Sequence, residues 1–546
     1  MAGEVKRLGA AELKRQLHDG GEIALLDARE EGVFHARHLL LASCVPLGRL
    51  ELLVDDLVPR RGTRVVWCDD GDGGGDGTAL SAARRMSALG YGDVAVLDGG
   101  IAAWEAAGYR LYGGVHVPSK AFAEVVEHEA GTPWISASDL KALIDRGADI
   151  AIFDSRSYEE YHNNSIPTAT SVPGAELVYR FTDMVPSPDT TVIVNCGGRT
   201  RSIIGAQALR NAGFRNEIMS LKDGTMAWHL AGFEVVKGAT RRPADVSERG
   251  RRAAAEAASR VAARCDIRRI DKATLAAWQG ETGRTLYLLD VRTPEEYRAG
   301  HLAGARSAPG GQLVQETDAH IATWNARVVL VDDNGVRATM TASWLKQMGL
   351  NDVAVLADDG SDGDWTSGPH VPRVLGLDPD AAAGASIAPA ALRDGLAAGR
   401  MVVIDLDTSR TYAQGHIPGA WFGIRSRLAQ DLAKLPKVEA IVLTSPDGAL
   451  ARLAAADLAA AAAGTGATAA APILVLEGGT EAWTKAGLPI ETGPSHMASE
   501  PVDVVLSARE RGVGREEAMR EYLTWEIDLV NQMAEDDDQR FRVVAG

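Results

Sequence analysis

One pattern occurs four times along this 546-residue chain, and that repetition limits the architectures open to it. In each copy an apolar run ends in an acidic turn, at 25–29, 152–156, 288–292 and 403–407, with Asp27, Asp154, Asp290 and Asp405 in the lead position. Shortly afterwards three copies carry a histidine before an apolar residue, His38, His301 and His416, where the second has Ser165; a structural turn accounts for this feature. A β-branched run follows (RVVWC, TVIVNC, RVVLVD or AIVLTS), then a glycine-containing loop and a helical segment. A further strand and Trp104, Trp228, Trp365 or Trp483 complete each copy. The intervals between these tryptophans are domain-sized, too long for a solenoid. Strands alternating with helices predict an α/β fold, with four small parallel sheets flanked by helices.

The repeats divide the chain into units at 1–115, 127–240, 266–375 and 380–493. The Ala- and Arg-rich stretch at 241–265 predicts a connecting helix with a solvated basic face. In the tail at 500–546, Met519, Tyr522, Leu523, Ile527, Val530 and Met533 recur at helical spacing, which predicts an amphipathic helix docked on a domain. The acidic run at 535–538 reads as a solvated end.

Charge and composition narrow the function classes. The 57 Lys+Arg against 74 Asp+Glu give a formal charge of −17, which opposes general binding to nucleic acid or an anionic membrane surface. No apolar run approaches the roughly 18 residues of a spanning helix, and the N-terminus lacks an apolar signal region, so a cytoplasmic location is expected. No glycine loop resembles a nucleotide fingerprint and no histidines have paired ligand spacing, so no cofactor or metal is implied. Cys44, Cys68, Cys196 and Cys265 form no CxxC pair and are too few for a disulfide framework.

Only the second unit places a nucleophile and cations together in its strand-to-helix loop, Cys196-Gly197-Gly198-Arg199-Thr200-Arg201-Ser202. Backbone N–H groups there can converge on the sulfur, aided by the helix dipole, and the glycines permit that close approach. Arg199 and Arg201 add positive charge, which favours the thiolate, the form that attacks.

Taken together, the Asp-x-Arg turn, the Gly-His-Leu/Ile segments of the third and fourth units, the Cys-x-x-x-x-Arg-Ser loop and the Leu-x-Gly-Gly-x-x-x-Trp ending resemble the rhodanese (thiosulfate sulfurtransferase) family, repeated in tandem. The resemblance implies that Cys196 accepts sulfur from thiosulfate or another sulfane-sulfur donor. It would hold that sulfur as a persulfide and pass it to cyanide or a thiol, which can belong to a protein. It further implies that Arg201, and after it Arg199, hold the donor, and that the amides of Gly197, Gly198, Arg199 and Thr200 cradle the persulfide. Arg156 matches a family position near the loop, but a structural pair with Asp154 explains it equally well. An alternative from another class is a sulfur carrier or partner-binding repeat protein without turnover. A lesser one is a cysteine-dependent phosphatase, whose similar loop has five residues between Cys and Arg where this chain has only Gly197 to Thr200.

The other loops read as inactive. The third unit aligns Asp332 with Cys196 and Arg337 with Arg201, and the fourth places Ser445 there without cations. In the first unit Cys68 ends the strand, but the loop after it carries Asp69, Asp70, Asp72 and Asp76, which raise a thiol pKa and repel an anion. That run resembles a calcium loop only weakly, because Ser81 stands where an EF-hand has Glu. Cys44, aligned with Ser171, and Cys265 read as packed small residues.

Overall fold

A computed structural model of the chain describes residues 4–71, 77–356, 365–377, 385–465 and 471–544. The β-branched runs become central strands because both of their faces are covered by helices, where continuous apolar sequence is buried at no polar cost. In the second unit the sheet order is Trp134–Ile135, Ile218–Leu221, Thr191–Asn195, Ile150–Asp154, Thr170–Ser171, with every pair parallel. The third repeats it with Arg268–Ile270, Val353–Leu356, Arg327–Val331, Leu286–Asp290 and Arg306–Ser307. The first and fourth share this order around central strands Arg64–Cys68 and Ala440–Thr444. No described helix is long and apolar enough to cross a membrane.

The recurring motifs do structural work in each unit. Arg29, Arg156 and Arg292 fold back onto the buried carboxylates of Asp27, Asp154 and Asp290 at 2.6 to 2.7 Å. The rings of His38, His301 and His416 stack on Phe34, Tyr297 and Tyr412, with centroids 3.7 to 3.9 Å apart, and each meets a main-chain carbonyl. Buried Trp104, Trp228 and Trp483 donate from Nε1 to the carbonyls of Arg110, Glu234 and Pro489.

The units are not beads on a string. Helices Glu176–Met184 and Thr200–Asn211 of the second unit, Glu248–Arg264 of the linker and Val336–Gln347 of the third enclose one apolar core. Strand Thr323–Trp324 of the third unit adds antiparallel to Ile23 and Ala24 of the first, covering that sheet edge. Arg425 of the fourth unit meets buried Glu51 of the first at 2.7 Å.

The linker helix buries Ala254, Ala257, Ala258 and Val261 and leaves Arg249, Arg251, Arg252, Arg260 and Arg264 exposed, the last two donating to the carbonyls of Ala212 and Asn211. Two expectations need correction. The tail helix, Arg515–Ala534, buries Ala518, Met519, Leu523, Glu526, Leu529 and Met533, whereas Ile527 is 45% exposed. The face is rotated because it packs against two units and must also admit a carboxylate. The acidic run is not a free end: Glu535 pairs with Arg110, Asp536 accepts from Tyr112, and Asp538 is buried against Lys14 and His18.

Candidate active site

Strand Thr191–Asn195 carries Cys196 to its C-terminal end, and helix Thr200–Asn211 starts four residues later. The cysteine is 2% exposed, with Sγ 3.4 Å from Ser202 Oγ, whose hydroxyl donates to the Arg199 carbonyl at 2.8 Å. The loop carbonyls are anchored elsewhere: Cys196 O accepts from the Thr225 amide at 2.9 Å and Gly197 O from Met226 at 3.2 Å. Gly224, at φ 55°, lies so near the Cys196 and Gly198 carbonyls that a Cβ would strike them. Among the described residues, no acceptor meets the amides of Gly197, Gly198, Arg199, Thr200 and Arg201. A run of free amides at a helix N-terminus is a positive cradle suited to an anion.

The three loop and turn arginines have different surroundings. Arg199 is 4% exposed and held by Glu124 at 2.7 Å, Asp223 at 2.8 Å and Glu127. Arg201 makes a two-pronged pair with Glu160, at 2.6 and 2.8 Å, and its Nη1 also donates to Gln312 Oε1 of the third unit at 2.7 Å. Burial opposes its charge, but Glu160 outweighs burial and the Arg201 pKa is raised; the Cys196 sulfur acts in the same direction. Arg156 is fully buried on Asp154 and also donates to Asn164, the arrangement its counterparts adopt in units without this cysteine.

Residues outside the second unit complete the site. Helix Val117–Ala130, between the first two repeats, supplies Glu124 and Glu127, and its Lys120 ammonium sits 5.4 and 5.2 Å from the ring centroids of Tyr522 and Trp525. The tail brings Arg509 against the loop, so that a Cβ on Gly197 would stand 2.5 Å from its Nη1. Glu526, fully buried, accepts from Thr200 Oγ1 at 2.6 Å. Burial raises its pKa, with Lys120 the main opposing influence. Cys196 thereby opens on a cavity of about 460 Å³ walled by Lys120, Arg509, Tyr522, Trp525 and Glu526. Spacing within the second repeat could not reveal these groups, since they lie far away in sequence; the buried-face residue Glu526 inside an otherwise apolar stripe was the available signal.

Cys68 ends its strand, and the register fixes its place relative to Cys196. Asp27 faces Cys68 as Asp154 faces Asn195, so Cys68 lies one residue short of the Cys196 position. That position belongs to Asp69, whose carbonyl accepts from the Ile101 amide as that of Cys196 does from Thr225. Burial, and then Asp27, raise the Cys68 thiol pKa well above the ordinary value. The loop at 72–76, with Asp72 and Asp76, lies outside the described residues. Cys44 is likewise pushed up by burial and faces the Arg29 carbonyl, while Cys265 packs half-buried on the core of the second and third units.

A family model described as the rhodanese-like domain matches residues 9–107, 136–231, 271–362 and 388–486. The crystal structure of a thiosulfate sulfurtransferase from Pseudomonas aeruginosa superposes with a TM-score of 0.93 at 46% identity, over 99% of this chain and 100% of that one. An HTH-type transcriptional regulator from Mycobacterium tuberculosis is 33% identical over 113 residues, 20% of this chain; the chain spans about half the length of this curated relative, 48%. With four matched segments covering most of its length and one sheet order recurring in each, the chain belongs to the rhodanese family as a tandem protein of four rhodanese-like domains.

Proposed function

We propose that the chain is a sulfurtransferase that takes sulfane sulfur from thiosulfate and delivers it to cyanide or a thiol through a persulfide on Cys196. The observation that carries this reading is the loop itself. A cysteine stands at a helix N-terminus among amides that meet no acceptor among the described residues, beside Arg201, at the base of a cavity.

In the first half-reaction the Cys196 thiolate attacks the outer sulfur of thiosulfate. The new S–S bond forms as the old one breaks, and sulfite leaves with the bonding electron pair. The free amides of Gly197 to Arg201 take the negative outer sulfur of the resulting persulfide. Fixed dipoles of this kind stabilise charge with no reorganisation during the reaction. In the second half, cyanide or a thiolate attacks that outer sulfur, giving thiocyanate or a new persulfide and returning Cys196 as thiolate. Arg199 and Arg156, each taken up by carboxylates, serve to fix the loop and the neighbouring turn. Arg201 supplies positive potential next to the sulfur while Glu160 fixes its position.

The test is intact-protein mass spectrometry before and after thiosulfate, with thiocyanate release on adding cyanide. A gain of one sulfur that is absent in Cys196→Ser, accompanied by thiocyanate, is the expected result. No gain in the wild type would remove thiosulfate as the donor. Phosphoester turnover dependent on Cys196 would overturn the sulfurtransferase reading.

A further inference from the structure

We propose that Arg509, delivered by the C-terminal tail, is the residue that binds the anionic oxygens of the substrate in the Cys196 cavity. This rests on the sulfurtransferase reading for the identity of the anion, though not for the existence of the anion site.

Arg199 directs its guanidinium to three carboxylates, and Arg156 to Asp154 and Asn164. Arg201 has both terminal nitrogens engaged, by Glu160 and Gln312. Lys120 donates to the Val115 carbonyl at 2.6 Å and lies against two aromatic rings. Arg509, half-buried where its cavity neighbour Arg511 is exposed, is different: among the described residues its guanidinium has no hydrogen-bond partner, and the carboxylate paired with it, Glu160 Oε1, is 3.6 Å away and already accepts from Arg201. Its guanidinium rests on Gly197, beside the free loop amides, and lines the cavity. Burial lowers its pKa, and repulsion from Arg156 and Arg201 adds to this, so an arriving anion relieves strain between like charges as well as gaining a partner.

The geometry suits a small oxyanion bearing a reactive sulfur. Its oxygens would take the donors of Arg509 in the two-pronged manner guanidinium favours, while its sulfur lies over Cys196 and the loop amides. Glycine at 197 is then required by the tail, since a side chain there would displace the guanidinium. The site therefore needs the segment after the fourth repeat as much as the loop in the second.

Charge-selective alkylation of Cys196 in the full-length protein tests this without depending on sulfur transfer. Rates of modification by iodoacetate, an anion, and iodoacetamide, its neutral counterpart, are compared on the Cys196 peptide. The wild type should favour iodoacetate, and Arg509→Gln should cut that preference by about tenfold or more, the effect of losing one charged hydrogen bond. Arg509→Lys should retain much of it. The iodoacetamide rate reports whether the site stays intact. No preference in the wild type, an unchanged ratio in Arg509→Gln, or equal slowing with both reagents would overturn the proposal. A parallel thiosulfate titration separates the two readings: Arg509→Gln should raise the KM for thiosulfate and leave that for cyanide unchanged. If the wild type gains no sulfur from thiosulfate while its charge selectivity depends on Arg509, the donor assignment fails and the anion site stands.

Discussion

The second and third units place equivalent residues in equivalent loops and reach opposite electrostatic outcomes. Cys196 and Asp332 directly follow matching strands, Arg201 and Arg337 lie in the first turn of matching helices, and Glu160 and Glu296 pair with those arginines. The two units even exchange reciprocal contacts, Gln312 reaching Arg201 and Glu176 reaching Arg337. In the third unit, however, the Asp332 carboxylate accepts from the amides of Asn334, Gly335 and Ala338, so the protein's own side chain fills the cradle. Arg337 meets three carboxylates, Glu176, Glu296 and Asp333, where Arg201 meets one carboxylate and a neutral amide. Asp69 in the first unit accepts from Gly71 and Ala79 in the same way. In the first and third loops an internal carboxylate thus occupies the cradle, and the second keeps its cradle open by having sulfur there instead.

The largest effect should come from making the second loop like the third. Cys196→Asp should abolish sulfur loading completely while leaving the melting temperature unchanged or higher, because the new carboxylate meets amides that now lack a partner. A variant that unfolds would break the comparison, since it would mean the second loop cannot accept an internal anion.

The reverse change should cost stability rather than activity. Asp332 is fully buried, so Asp332→Ala strips acceptors from three amides and leaves Arg337 among its carboxylates without it. We expect a loss of about 3 kcal/mol in denaturant unfolding, within the range for breaking a buried charged network. Cys196→Ala, whose amides have no protein partner to lose, should cost about 1 kcal/mol, as for a small buried side chain. Equal costs would show that Asp332 does not anchor its loop.

The repeats, the sheet class and the reactive loop were legible in the sequence because each depends on local pattern. Alternation of β-branched runs and helices marks parallel sheets, and Cys196 through Ser202 falls within one turn of chain. What surrounds the sulfur was not legible. Arg199 reads as a donor-binding cation in isolation, and only the fold shows Glu124 and Glu127 from a helix between repeats closing on it. Arg509 and Glu526 belong to a tail with no repeat to align it, so their approach to Cys196 is a property of packing alone. Cys68 shows the limit of composition: the strand end and its unreactive thiol were legible, yet only the register shows that Asp69, one residue on, takes the loop position.

A smaller effect is expected from Glu160, which holds Arg201 in place in the open loop as Glu296 holds Arg337 in the closed one. Burial disfavours its charge, but Arg201, Arg156 and Arg509 outweigh it and its pKa is lowered. A lowered folded-state pKa contributes stability above the ordinary carboxylate value of about 4.3, and that contribution is lost as pH falls toward the folded value. Glu160→Gln should therefore lower stability at neutral pH by about 1 to 3 kcal/mol and flatten the acid limb of the stability profile. An unchanged acid limb would remove Glu160 from the set of groups that titrate on unfolding.

The smallest effect separates the two buried cysteines. Cys68 Sγ faces Asp27 Oδ2 at 3.7 Å, and burial and that carboxylate both hold the proton on the thiol. A thiol so protected neither attacks a donor nor reacts with alkylating agents at neutral pH. Cys68→Ser should leave sulfur loading and thiocyanate release at wild-type rates, and the Cys68 peptide of the folded protein should remain unmodified while Cys196 is alkylated. Loss of half or more of the transferred sulfur in Cys68→Ser would make the first unit a participant, and an internal carboxylate in the Asp69 position would then no longer suffice to mark a loop as silent.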